Sequence, residues 1–143
     1  MDTEVFTIET GRQRGVFDVT AEASRFVSDR GDGLLNIFVP HATAGIAIIE
    51  TGAGSDADLL DAIDDVLPRH DRRYRHRHGS PGHGADHVMP GFIAPSATVP
   101  VIEGRLALGT WQSIVLVDPN EDNPVRQVRL SFVPGEQRLP SRA

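Results

Sequence analysis

The sequence predicts an α+β domain made mostly of antiparallel β-sheet, arranged as a sheet or sandwich, with two helices. Three observations lead there. Most of the apolar residues fall in short runs of strand length rich in Val, Ile and Phe, only two segments carry helical periodicity, and strands and helices come in groups rather than in strict alternation. A chain of 143 residues, 39% hydrophobic and 24% charged, suits one domain able to bury a core. We expect that domain over 1–143, with its core at about 5–133 and a flexible C-terminal tail at 134–143.

Taken in order, Val5 to Thr10 and Gly15 to Thr20 alternate β-branched or aromatic residues with polar ones around GRQRG, which predicts an opening hairpin. Thr20 can cap a helix running to Ser28, with Glu22 in its first turn and Gly31 beyond its end. Leu34 to Val39 and Ile46 to Glu50 are apolar runs of strand length that flank the polar turn PHATAG. Ser55 opens a second helix. Asp56 and Asp58 favour its positive dipole end, and Leu59, Leu60, Ile63, Val66 and Leu67 recur on one face until Pro68 stops it. From Pro68 to Pro95 no period appears, so this long connection reads as a non-helical functional loop. Thr98 to Ile102, the turn Glu103-Gly104 and Leu106 to Leu108 predict a hairpin. Gln112 to Val117 and Val125 to Val133, joined by DPNEDNP, complete a C-terminal β-meander.

Composition removes several kinds of function. The chain has no cysteine, so disulfides, thiolate nucleophiles and Cys-based metal sites are excluded, and a metal must sit on His, Asp or Glu. It also has no lysine: every basic residue is Arg, which excludes a Schiff-base or phosphate-loop lysine. A net charge of −6 argues against a protein built to grip nucleic acid. No apolar run approaches the roughly 18 residues of a membrane helix, and the N-terminus lacks the order of a signal peptide, so a cytoplasmic protein without membrane partners is expected. Against the acidic total stands RHDRRYRHRH at 69–78, a dense patch of positive charge that reads as an anion site or a solvated loop.

Six histidines stand at 41, 70, 76, 78, 83 and 87, five of them between 70 and 87. Imidazole is a ready ligand for zinc-like ions, and three side chains leave one position open for chemistry. Spacings such as His76-x-His78, His83-x3-His87 and His76-x10-His87 all suit a metal, and spacing alone does not choose among them. His41 ends an apolar strand in a turn, a place from which a ligand can project off a rigid scaffold. Glu50 ends the following strand and can bind a metal or act as a base. Gly109-Thr110-Trp111-Gln112 holds the one tryptophan of the chain beside an amide able to recognise a ligand.

His41-Ala-Thr-Ala-Gly followed by Glu50, Asp58 opening a Leu-rich helix, Tyr74-Arg-His76, Gly82-His-Gly-Ala-Asp-His87, Gly104 and Gly109-Thr-Trp-Gln112 together resemble the YjbQ-like family. Members of that family are often labelled secondary thiamine-phosphate synthases. The resemblance runs in order from about residue 5 to residue 133. It implies a homotrimer of compact α+β subunits with a site near a subunit interface, and His41, His76 and His87 as ligands of a divalent ion such as zinc or magnesium. It further implies Glu50, Gln112 and Asp58 as catalytic residues, and Thr43, Trp111, Arg126 and Arg75 as groups that line or brace a substrate pocket. This chain departs from the common pattern in Ile49 before Glu50, in the acid missing from TGAGS, and in the added His78, His83 and arginines.

The activity implied by the resemblance joins a hydroxymethylpyrimidine diphosphate to a thiazole phosphate and expels pyrophosphate, a small phosphorylated metabolite being the partner. A metal-dependent hydrolase of a phosphorylated or acylated metabolite, with Glu50 as base, is the second reading. A trimeric protein that binds a metal or metabolite without turnover is the third.

Overall fold

The structure, a computed structural model, describes residues 1–77 and 81–136. Among them the chain forms, in order, β1 (Asp2–Glu9), β2 (Gly15–Asp18), α1 (Thr20–Val27), β3 (Gly33–Phe38), β4 (Gly45–Ile49), α2 (Ser55–Val66), α3 (His83–Val88), β5 (Ser96–Ile102), β6 (Arg105–Leu106), β7 (Ser113–Asp118) and β8 (Val125–Pro134). The strands make two sheets, β1-β8-β3-β5-β6 and β2-β7-β4, with every pairing antiparallel. This is the mostly antiparallel α+β architecture expected, resolved into two sheets and with a third helix, α3, beside the two predicted.

Side-chain alternation decides how the sheets stack. In β3, Leu35 and Ile37 are buried while Leu34 and Phe38 lie on the outer face, and the same alternation buries Val99 and Val101 in β5 and Val128, Leu130 and Phe132 in β8. These inner residues meet Ile46 of β4 and Ile114 and Leu116 of β7, and α1 closes one end with Ala23, Phe26 and Val27. The other face of β7 is buried as well. Val115 and Val117 pack with Ile63 and Leu67 at the end of α2, and with Ala85 and Met89. That double burial explains why IVLV in β7 has no polar alternation. Each such side chain contributes about 1.5–3 kcal/mol by leaving water. The three-stranded sheet is therefore the middle layer, and α2, α3 and the histidine-rich segment stand on its far side.

Three expectations fail. β1 and β2 are not a hairpin: β1 pairs along its whole length with β8, from Asp2↔Phe132 to Glu9↔Val125, whereas β2 pairs with β7 in the other sheet. GRQRG carries the chain between layers, with the Thr10 and Gly11 amides both donating to Pro124 O at 2.8 and 3.2 Å. The C-terminal meander likewise stops at β6, because β7 and β8 belong to different sheets. Local turn chemistry specifies a turn; which strand becomes the neighbour is settled by which inward faces match. The segment 68–95 is also not devoid of helix, since it contains α3 and two turns of 3₁₀ helix, Asp71–Arg73 and Met89–Gly91. Pro134 ends β8; the rest of the expected tail, from 137 on, and His78 lie outside the described residues.

Candidate metal centre

After Pro68 ends the α2 pattern, Tyr74 and the α3 helix fold back toward it. The Tyr74 hydroxyl donates to Pro68 O at 2.7 Å, and burial raises its pKa above that of an ordinary phenol. Gly82, at φ 89, turns the chain into α3, and its amide donates to Asp71 Oδ1 at 3.2 Å. Only six residues long and containing Gly84, α3 is too short and too weak a helix former to show a period in the sequence. Gly84 is required by contact: a Cβ there would stand 2.6 Å from Tyr74 Cβ and 2.9 Å from His76 O. The extended chain at Tyr74–His76 thus lies directly on the first turn of α3.

The inner face of this helix is held by charge. Asp86, 1% exposed, receives Arg69 Nη1 at 2.5 Å and Nη2 at 3.2 Å, and Asn120 Nδ2 at 2.9 Å. Burial opposes the Arg69 charge, but the hydrogen bond and charge of Asp86 override it and raise the guanidinium pKa. A carboxylate so placed satisfies its oxygens with a fork and an amide, which makes its burial tolerable.

On the outward side, His83 and His87 stand four residues apart on one helix face, and His76 is laid against them by the Gly84 contact. The three half-buried rings offer ligand atoms that all lie within 4.8 Å of one another. His83 and His87 approach through their Nε2 atoms at 2.7 Å, with ring centroids 4.4 Å apart, and His76 lies 4.1 Å from the His87 ring and 5.2 Å from the His83 ring. The Nδ1 of His83 faces Asp122 Oδ2 at 3.0 Å. A carboxylate there accepts the Nδ1 proton, which leaves the His83 Nε2 lone pair pointing into the cluster. Around a tetrahedral zinc ion with bonds of about 2.0–2.1 Å, neighbouring nitrogens stand roughly 3.3 Å apart, inside the 4.8 Å within which the ligand atoms of the trio lie. Donor type, number and proximity therefore fit a zinc-like ion.

The family model described as UPF0047 protein YjbQ-like matches residues 4–135. The chain belongs to the YjbQ/UPF0047 family. It is similar to the UPF0047 protein Rv2556c of Mycobacterium tuberculosis, with 63% identity over 94% of this chain and 100% of that one, and to YugU of Bacillus subtilis, with 37% identity over 75% and 81%. Among solved structures, the hypothetical protein APE1520 of Aeropyrum pernix K1 superposes with a TM-score of 0.84 at 31% identity, covering 94% of this chain and all of that one. A YbjQ-like protein of unknown function from Sulfolobus solfataricus P2 gives 0.85 at 26%, covering 94% and 97%.

In this YjbQ-like chain, two of the three expected ligands, His76 and His87, come together, and the third corner is His83 rather than His41. His41 is engaged elsewhere: its Nε2 accepts the Gln127 amide at 2.9 Å, and burial, then the nearby Arg126 charge, lower its pKa below 6.5. The reason is topological, because the β3–β4 connection docks on β8 while His83 and His87 ride on α3 and His76 lies against it. Arg126 and Thr43 are buried and bonded to each other at 2.9 Å, and Arg126 forks onto Asp118 at 2.7 and 2.9 Å. They brace the β7–β8 end of the fold. Gln112 accepts the Gly109 amide at 2.8 Å within its own turn, Trp111 is 73% exposed, and Glu50, Asp58 and Arg75 are exposed. Sequence reading missed Asp122, Asp86 and Asn120 as parts of this site, while Arg69 belongs to the basic run 69–78 it singled out. One signal was available for the ligands, since His83 and His87 have the i, i+4 spacing of one helix face. For Asp122, Asp86 and Asn120 there was none.

Proposed function

We propose that the chain holds a divalent ion on His76, His83 and His87 and acts with it on a small phosphorylated metabolite, in the manner of a secondary thiamine-phosphate synthase. The observation that carries this is the set of three imidazole ligand atoms within 4.8 Å. Three nitrogen donors favour zinc over magnesium, which prefers oxygen. Arg72, Arg73, Arg75 and Arg77 are exposed on the segment that leads into His76, and their charge suits phosphate groups. In the proposed reaction the thiazole nitrogen attacks the pyrimidine methylene carbon, the bond from that carbon to the diphosphate oxygen breaks, and pyrophosphate leaves. A bound ion would supply Lewis-acid stabilisation of that leaving group. The arginines would hold its oxygens and orient the methylene carbon, and no Lys or Cys is needed for either task.

The test has two steps. Elemental analysis of purified protein should find zinc or a similar ion at one per chain, with loss in His76→Ala, His83→Ala and His87→Ala and retention in His41→Gln. Incubation with hydroxymethylpyrimidine diphosphate and thiazole phosphate should then yield thiamine phosphate by mass spectrometry. Release of phosphate or acid from one substrate alone would replace synthesis by hydrolysis. Tight metal binding with no turnover of any substrate would leave a binding protein. Sedimentation velocity tests the homotrimer that the family resemblance implies.

A further inference from the structure

We infer that Asp122 is a positioning residue of the metal centre, holding the His83 proton on Nδ1 so that Nε2 is the atom presented to the ion. The inference rests on the metal reading above. Asp122 arrives from DPNEDNP, the turn that joins β7 to β8. The structure ties this turn down on both sides. Asn120, 2% exposed, receives at its side-chain oxygen the Asp122 amide at 2.9 Å, while its own amide donates to Asp118 Oδ1 at 3.1 Å. Asp118, in turn, is clamped by Arg126 at 2.7 Å. The Asn120 side-chain amide nitrogen Nδ2 donates at 2.9 Å to the same Asp86 carboxylate that anchors α3. One buried asparagine therefore fastens the turn to the ligand-bearing helix and sets the height at which the Asp122 carboxylate meets His83, 3.0 Å from Nδ1.

The consequence is chemical. A neutral imidazole carries one proton, and whichever nitrogen holds it cannot ligate. In the absence of a partner both tautomers form, and a fraction of the protein must move the proton before binding an ion. A carboxylate 3.0 Å from Nδ1, nearer than the Asn120 side-chain nitrogen at 3.5 Å, shrinks that fraction and makes Nε2 a better donor; outer-shell partners of this kind typically change metal affinity about 10–100-fold.

The experiment compares wild type with Asp122→Asn and with Glu121→Gln, which removes the neighbouring exposed acid. Zinc affinity is measured with a competing chelator, and the tautomer of His83 by 15N NMR of the metal-free protein. Asp122→Asn should bind Zn2+ about 10–100-fold more weakly and show His83 as a mixture of tautomers, while Glu121→Gln should stay within about twofold of wild type with Nδ1–H retained. An Asp122→Asn protein that binds Zn2+ as tightly as a zinc-binding wild type overturns the positioning role alone. A wild type that binds no Zn2+ at all, whatever its His83 tautomer, overturns the metal reading and this role with it.

Discussion

Replacing Gly84 by Ala isolates the contact that assembles the histidines. The new Cβ would stand 2.6 and 2.8 Å from Tyr74 Cβ and Cγ and 2.9 Å from His76 O, all below real Cβ contacts. Ordinary carbon contacts begin at about 3.5 Å, so the Tyr74–His76 segment or the start of α3 must retreat by roughly 1 Å. Overpacking of that kind costs about 1–3 kcal/mol, and the better helix propensity of Ala offsets about 1 kcal/mol of it. The net loss, about 0–2 kcal/mol, lowers the melting temperature by roughly 0–8 °C in a domain of this size. The metal site suffers more than the fold, because a retreat of about 1 Å takes His76 out of reach of the other two rings, and site geometry tolerates only about 0.5 Å. Calorimetry and chelator competition on one protein sample should therefore give a small thermal shift with a loss of at least tenfold in Zn2+ affinity. Wild-type affinity together with a wild-type transition would refute the close approach itself.

Other outcomes follow from the buried charges and from His41. Asp86→Ala should cost about 2–4 kcal/mol in chemical denaturation, less than a fully buried pair because Arg69 keeps 23% of its side chain exposed, and should weaken Zn2+ binding as α3 loosens. A loss below about 1 kcal/mol would show that the pair holds nothing. Arg126→Met leaves Asp118, 0% exposed, charged without its fork, and should destabilise by about 3–5 kcal/mol; a neutral result would contradict the bracing role. His41 should titrate below 6.5 by NMR, because burial and Arg126 disfavour its cation. The unfolded chain then takes up that proton more readily than the folded one, so stability is whole above pH 6.5 and falls as pH drops through the folded value. In His41→Gln, which keeps an acceptor for the Gln127 amide, this acid loss should shrink; an unchanged pH profile would remove His41 as its source.

Periodicity and composition alone determined much of this protein. The apolar runs at Leu34–Val39, Ile46–Glu50 and Gln112–Val117 forecast strands, and the apolar stripe of α2 with Pro68 after it forecast that helix, because these are properties of residues close in the chain. The wealth of histidine without Cys or Lys likewise limited the chemistry before any coordinates. The tertiary structure decided the rest, and for one reason: partners far apart in sequence are chosen by fit. Whether β1 pairs with β2 or with β8 depends on matching inward faces across more than a hundred residues, and which histidines share a point depends on Gly84 admitting the Tyr74–His76 backbone against α3. Nothing local distinguishes Asp122 from Glu121; only the asparagine that turns one of them toward His83 does.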